Sequence, residues 1–219
     1  MPSPFAQSSY QVRFEWGVDG LARLAPADVV VVVDVLRFSS TMADAVGEQP
    51  VALDRARIWS SNGAAVADAA SRVGGVVLLG GIRNATATAR AVMTLQERSG
   101  ERTSVSVIAG GELTPEGRLR FAVEDQLGAG AIIAALSDLG IDHSSPEAAG
   151  SAESFRALRR GLRHLLIGSG SGRELVDGVA STARMLADGI RPATVAEAAE
   201  LDAVDAVPML RNGVFTPFD

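Results

Sequence analysis

The sequence predicts an α/β fold, three layers of α/β/α around a largely parallel or mixed central sheet. Three observations lead there. Five consecutive valines, Val29 to Val33, are too few to cross a membrane and are bracketed by Asp28 and Asp34, so they read as a strand buried on both faces. Apolar runs then alternate with helical patterns through the first two thirds of the chain, and such βα repetition demands a mostly parallel sheet with helices on both faces. Finally, four strands stop at small or polar residues just before helices. Their loops therefore share one edge of the sheet, the edge at which open α/β sheets bind ligands.

Taken in order, Gln11 to Trp16 alternates Val12, Phe14 and Trp16 with Arg13 and Glu15, the pattern of a half-exposed strand, and Gly17 to Gly20 is expected to turn it. The valine strand follows, and a helical pattern starts at about Met42. Pro50 to Leu53 and Arg57 to Trp59 are short strand candidates, the second running into Ser60-Ser61-Asn62-Gly63, and Ala64 to Ala70 reads as a helix. Gly75 to Leu79 is another buried strand, stopping at Gly80-Gly81, and Asn84 opens a long helix from about Ala85 to Arg98. Ser104 to Ala109 is a further strand, ended by Gly110-Gly111-Glu112. After a loop through Pro115 and Gly117, a helix runs from Glu124-Asp125 to about Leu139.

In the last third, Phe155, Leu158, Leu162, Leu165 and Leu166 fall at helical spacing and predict a helix from about Ala152 to Ile167. The run Gly168-Ser169-Gly170-Ser171-Gly172 ends it as a cap and turn. A dinucleotide site would need G-x-G-x-x-G after a strand, whereas here a helix precedes and glycine falls every second residue. Helices are expected from Arg173 to about Ala180 and from Pro192 to Leu201, then a final strand from Ala206 to Leu210 and a turn at Asn212-Gly213. No Pro/Ser-rich linker forces a division, so residues 1–219 are read as one domain, with 141–151 the stretch at which it would subdivide.

Composition narrows the function. A hydrophobic content of 47% supports a sizeable core, and the net charge of −6 argues against nucleic acid or an anionic membrane surface as partner. Any phosphate must be held by local groups. Without cysteine there is no disulfide, thiolate zinc site or cysteine nucleophile. The segment MPSPFAQSSY has neither a basic nor an apolar stretch of a secretory signal, so the cytoplasm is expected. Every basic residue apart from two histidines is arginine, a compositional bias that lowers the weight of any single arginine.

Chemistry gathers after the valines. Asp34, Arg37 and the hydroxyls Ser39, Ser40 and Thr41 stand between a central strand and a helix N-terminus, whose free N–H groups and dipole favour an anion. One hydroxyl would suffice to cap the helix, with Arg37 paired to Asp34 as scaffold. Three hydroxyls and a guanidinium resemble an oxyanion cradle more closely. The pair Glu124-Asp125 either complements a helix dipole or, with Asp34, forms a hard-cation site, since Mg²⁺ takes one or two protein carboxylates and fills its shell with water and phosphate oxygens. Asn62-Gly63 and Asn84 stand at strand-to-helix junctions and suit either turns or a polar site. Arg173 and Glu174 are within reach of a ligand from the glycine-rich turn. His143 and His164 lack the Arg-His-Gly context of histidine phosphatases.

These residues resemble the 2-phosphosulfolactate phosphatase family, Mg²⁺-dependent hydrolases. The similar stretches are Glu15-Trp16-Gly17, Val33-Asp34-Val35-Leu36-Arg37-Phe38-Ser39-Ser40-Thr41, Ser61-Asn62-Gly63, Asn84-Ala85, Ala109-Gly110, Glu124-Asp125 with Ala129-Gly130, Ser171-Gly172-Arg173 and Val207-Pro208. Asp-Val-Leu-Arg followed by hydroxyls is the most specific of them. The chain departs from the pattern between Gly47 and Trp59, which carries neither the Gly-Glu-Arg nor the Asn-Ser-Pro run of other members, and at Thr194, where members tend to have Asp.

The resemblance implies a small phosphorylated metabolite with a second anionic group as substrate, Mg²⁺ as cofactor, and a homodimer as the assembly to test for. It also implies roles: Asp34, Arg37 and Glu124 catalytic, Asp34, Glu124 and Asp125 on the metal, and Ser39, Ser40, Thr41, Asn62, Gly63, Asn84 and Arg173 on phosphate. Asp34 lacks the second Asp two residues on that aspartyl-phosphate hydrolases use. Attack by a Mg²⁺-assisted water is therefore expected, with an aspartyl intermediate at Asp34 as the alternative route. A non-catalytic relative that binds a phosphometabolite is the alternative function.

Overall fold

A computed structural model describes residues 3–219. The chain folds in the order β1 (Val12–Trp16), α1 (Gly17–Arg23), β2 (Val29–Val33), α2 (Phe38–Glu48), β3 (Val51–Ala52), α3 (Leu53–Trp59), α4 (Gly63–Val73), β4 (Val76–Gly80), α5 (Ala85–Ser99) and β5 (Val105–Ala109). A small hairpin, β6 (Glu112–Leu113) and β7 (Leu119–Arg120), precedes α6 (Val123–Asp138), α7 (Pro146–Leu158), α8 (Leu162–Gly168), α9 (Gly170–Asp177), α10 (Ala180–Ala187) and α11 (Val195–Ala198). The hairpin β8 (Pro208–Arg211) and β9 (Val214–Pro217) completes the fold.

Seven strands form the central sheet in the order β1-β5-β2-β4-β8-β9-β3. The first four are mutually parallel, so the loops after Trp16, Val33, Gly80 and Ala109 do open on one edge. The sheet is mixed because β8 runs antiparallel to β4, and β9 to both β8 and β3. Alternation along β2 divides its valines between two cores. Val29, Val31 and Val33 pack with Leu127, Ile132 and Ile133 of α6, while Val30 and Val32 pack with Phe38 and Met42 of α2 and Ala67 of α4. That is the three-layer arrangement a strand buried on both faces requires. Among the described residues no helix is long and apolar enough to cross a membrane.

Several local expectations are corrected. β1 is not half-exposed: Arg13 is 5% exposed, its guanidinium donating to the carbonyls of Tyr10, Ala25 and Pro26. Gly17 to Gly20 begins α1 instead of a turn, and α2 starts at Phe38 instead of Met42. Arg57 to Trp59 belongs to α3, because Leu53, Ala56 and Trp59 recur three apart and all are buried, while Asp54, Arg55, Arg57 and Ile58 face solvent. The helix expected over 152–167 is two, α7 and α8, separated by a tight turn at Arg159–Gly161. Its true start is marked by Ser145-Pro146, where the serine hydroxyl accepts from the Ala148 amide and proline takes the first helical position. The glycine-rich run ends α8 as expected, and Ser169 within it also caps α9.

Candidate active site

The loops at the carboxyl edge of β2 and β5 are stitched together before any ligand arrives. The Gly110 amide donates to the Val33 carbonyl at 2.7 Å. Asp125, at the start of α6, accepts from the Val35 amide through Oδ1 at 2.7 Å and from the Gly111 amide through Oδ2 at 2.8 Å. Its carboxylate therefore serves neighbouring loops instead of its own helix N-terminus. Asn62 donates to the Gly111 carbonyl at 2.8 Å, adding the α3–α4 junction to the same knot.

Asp34 lies just beyond β2 and is also buried. Its Oδ1 accepts from the Phe38 amide at 3.3 Å, and its Oδ2 accepts from the Gly63 amide at 3.0 Å and the Ser60 hydroxyl at 3.4 Å. Glycine is required at position 63, since a Cβ there would sit 2.6 Å from Oδ2 of Asp34 and 2.6 Å from the Phe38 ring. Only a bare backbone lets this amide reach the carboxylate.

Together these segments wall a cavity of about 190 Å³. Asp34, Arg37 and Phe38 come from the β2–α2 junction, Trp59 to Asn62 from the α3–α4 junction, Gly111 and Glu112 from the segment after β5, and Glu124 and Asp125 from α6. The opposite wall is Ser171, Glu174 and Leu175 of α9, Val179, and Ser181 and Met185 of α10. Arg37 donates to the Thr182 hydroxyl of α10, while its Nε is buried without a partner. No ion pair joins it to Asp34 among the described residues. The Leu36–Arg37 peptide bond is cis.

The electrostatics are one-sided. Asp34, Glu112, Glu124, Asp125 and Glu174 line the cavity against a single base, Arg37. Burial, and then the charge of Glu112, pushes the Asp34 carboxyl up from its ordinary 3.8 to about 6, against the pull of its three hydrogen bonds. Burial raises Asp125 well above the carboxylate range too, with Asp34 and Glu124 adding to the effect. Glu124 is only 3% exposed as a residue, but its carboxylate is open to the cavity and takes no hydrogen bond from any other described residue.

The expected site residues thus separate into two groups. Asp34, Arg37, Asn62, Glu124 and Asp125 line one cavity, with Gly63 directly behind Asp34. Ser39, Ser40 and Thr41 lie inside the first turn of α2 and are spent on the scaffold. Ser39 accepts from the Asp34 amide and donates to the Val32 carbonyl, Ser40 donates to the Val35 carbonyl, and Thr41 accepts from the Ala193 amide. Asn84 binds the backbone of Leu79, Gly81 and Ala206 away from the cavity, and Arg173 is exposed outside it. Sequence reasoning passed over Ser60, Glu112 and Thr182. Glu112 was legible in principle, as the polar residue after a Gly-Gly pair on the same sheet edge. Thr182 had no local signal, because its helix was not anticipated.

A family model described as 2-phosphosulpholactate phosphatase matches residues 45–213, well over half of the chain. The chain belongs to this family. The matched segment of the 2-phosphosulpholactate phosphatase family includes Asn62, Glu112, Glu124, Asp125 and Ser171, whereas Asp34 and Arg37 precede it and reach the same cavity through β2. No curated protein matches the chain.

Proposed function

We propose that the chain is a cytoplasmic, Mg²⁺-assisted phosphatase acting on a small phosphate monoester. The observation that carries this reading is Glu124, whose carboxylate opens on the same cavity as Asp34 and Arg37 and takes no hydrogen bond from any other described residue. Five acids and one base would repel a phosphate dianion, so the donor set is suited to a cation as well as to the ester. Among the described residues no three carboxylate or imidazole side chains form a closed metal cluster. Mg²⁺ needs no such cluster, being held by one or two carboxylates with water and substrate oxygens completing its shell. Glu124 and Asp34 are the residues that would hold it, with Asp125 fixing the loops that carry them.

When bound, Mg²⁺ supplies Lewis-acid stabilisation of the phosphoryl oxygens. The remaining work falls to the chain. The hydrogen bonds from Phe38, Ser60 and Gly63 hold the Asp34 carboxylate in one orientation. Arg37 neutralises phosphate oxygens, and Trp59, Leu175 and Met185 limit the entry of bulk water, so that the proton given up by the attacking water passes to the departing alkoxide. Phosphate release from a panel of small esters, measured with and without Mg²⁺, tests the reading. Mg²⁺-dependent release is expected. Phosphate binding without turnover would select the non-catalytic relative, the reading favoured by the missing Gly-Glu-Arg run.

Arg37→Ala is expected to weaken binding of inorganic phosphate by about tenfold or more, the value of one charge-assisted hydrogen bond. Calorimetry reads this directly, and an unchanged affinity would remove Arg37 from the phosphate site.

A further inference from the structure

Resting on the phosphatase reading, we infer that Thr182 on α10 is a positioning residue, one that sets the Arg37 guanidinium in place for the phosphoryl group of the ester. An arginine side chain is long and rich in rotamers, so its charge meets a ligand in one geometry only where something holds it. Buried arginines are commonly held by a carboxylate. Arg37 is not: among the described residues no acid forms an ion pair with it, although five line its cavity. The holder is the Thr182 hydroxyl, which accepts from Nη2. A neutral partner fixes the guanidinium and leaves its positive charge free for phosphate oxygens, whereas a carboxylate partner would cancel that charge. Because the group is planar and rigid, a bond at Nη2 also orients its other N–H donors, among them Nε, which is buried without a partner.

A tether positions only as well as its own support. α10 is fastened to α3 on the side away from the cavity. Asp188, just past its last turn, accepts from Trp59 Nε1 at 3.1 Å and from Arg55 at 2.5 Å. Arg184, one turn earlier on the same face, donates to the Ile58 carbonyl at 2.9 Å. Ser181 and Met185, also one turn apart, line the cavity, and Met185 is buried in the core shared with Trp59 and Phe38. Thr182, half-buried between these faces, is therefore carried on a helix fixed at several points. The chain thus brings the arginine from the β2–α2 junction and its holder from a helix 145 positions later.

The test uses the full chain with Mg²⁺ and an ester that the wild type hydrolyses. Thr182→Val keeps the shape and removes the hydroxyl, and is expected to lower kcat/KM by about tenfold; Thr182→Ser restores the hydroxyl and should stay within about twofold of wild type. A double-mutant cycle separates positioning from packing. If Thr182 acts through Arg37, Arg37→Ala with Thr182→Val should be no worse than Arg37→Ala alone, whereas a packing role would add its full loss in either background. Wild-type kcat/KM in Thr182→Val, a serine variant as poor as the valine one, or additive losses in the cycle overturn the inference. If no ester is hydrolysed, the phosphatase reading fails and calorimetry with inorganic phosphate reads the same four variants. Weaker binding in Thr182→Val, rescued by serine and absent in the Arg37→Ala background, still supports the positioning role. Unchanged or tighter binding in Thr182→Val, or no phosphate binding by the wild type, overturns it.

Discussion

Asp34→Asn is expected to lower turnover of any accepted phosphoester by at least about a hundredfold, the scale on which one preorganised charge contributes to a transition state. The substitution keeps the shape and removes the charge. A pH profile adds a second readout. With the carboxyl raised to about 6 in the absence of a cation, Mg²⁺ affinity, and with it the rate at limiting Mg²⁺, should climb as pH increases through that value, because only the ionised form holds a cation. Stability runs the other way. A carboxyl whose folded value exceeds its ordinary 3.8 favours the folded state fully at low pH, and that contribution is lost as pH rises through about 6. The site therefore works in the pH range in which it weakens its own scaffold. Near-wild-type turnover in Asp34→Asn, or an acid limb that persists in the variant, would dismiss Asp34 from this role.

Gly130→Ala is expected to destabilise the fold by about 1–3 kcal/mol through overpacking. A Cβ at position 130 would lie 2.2 Å from the Ser151 carbonyl and 2.8 Å from Cβ of Phe155, so α6 and α7 could no longer approach as they do. Each kcal/mol lowers Tm by roughly 2–4 °C at this chain length. The consequence reaches the chemistry, because α6 carries Glu124 and Asp125 in its first turn. Displacing α6 shifts both carboxylates against Asp34, so turnover should fall with stability. An unchanged Tm would mean that the two helices part without cost.

The parts of this fold legible in the sequence are those dictated by local pattern. The valines of β2 have nowhere to go but a doubly covered sheet, and four parallel strands place their loops on one edge whatever their order. Long-range pairing left no such trace. β3 and β9 pair through two residue pairs, and β8 joins the sheet beside β4, more than a hundred residues earlier in the chain. Arg13 was misjudged because alternation marks a polar residue as exposed, whereas three carbonyls from outside the strand hold it inside. The site divided along the same line. Asp34, Glu124 and Asp125 were visible as acids at strand and helix ends. The hydroxyl cluster misled because a list of donors does not say what they bond, and Ser39, Ser40 and Thr41 are turned to backbone groups.

The position of β8 and β9 has a consequence for biosynthesis. They fill the sheet between β4 and β3, so β3 cannot join the sheet until residues 208–217 have left the ribosome. A nascent chain that already contains β1, β2, β4 and β5 exposes an open strand edge on β4 throughout the synthesis of α6 to α11. Open edges recruit other chains. Slow translation of the last third should therefore lower the yield of folded protein, and chaperones that shield nascent strand edges should restore it.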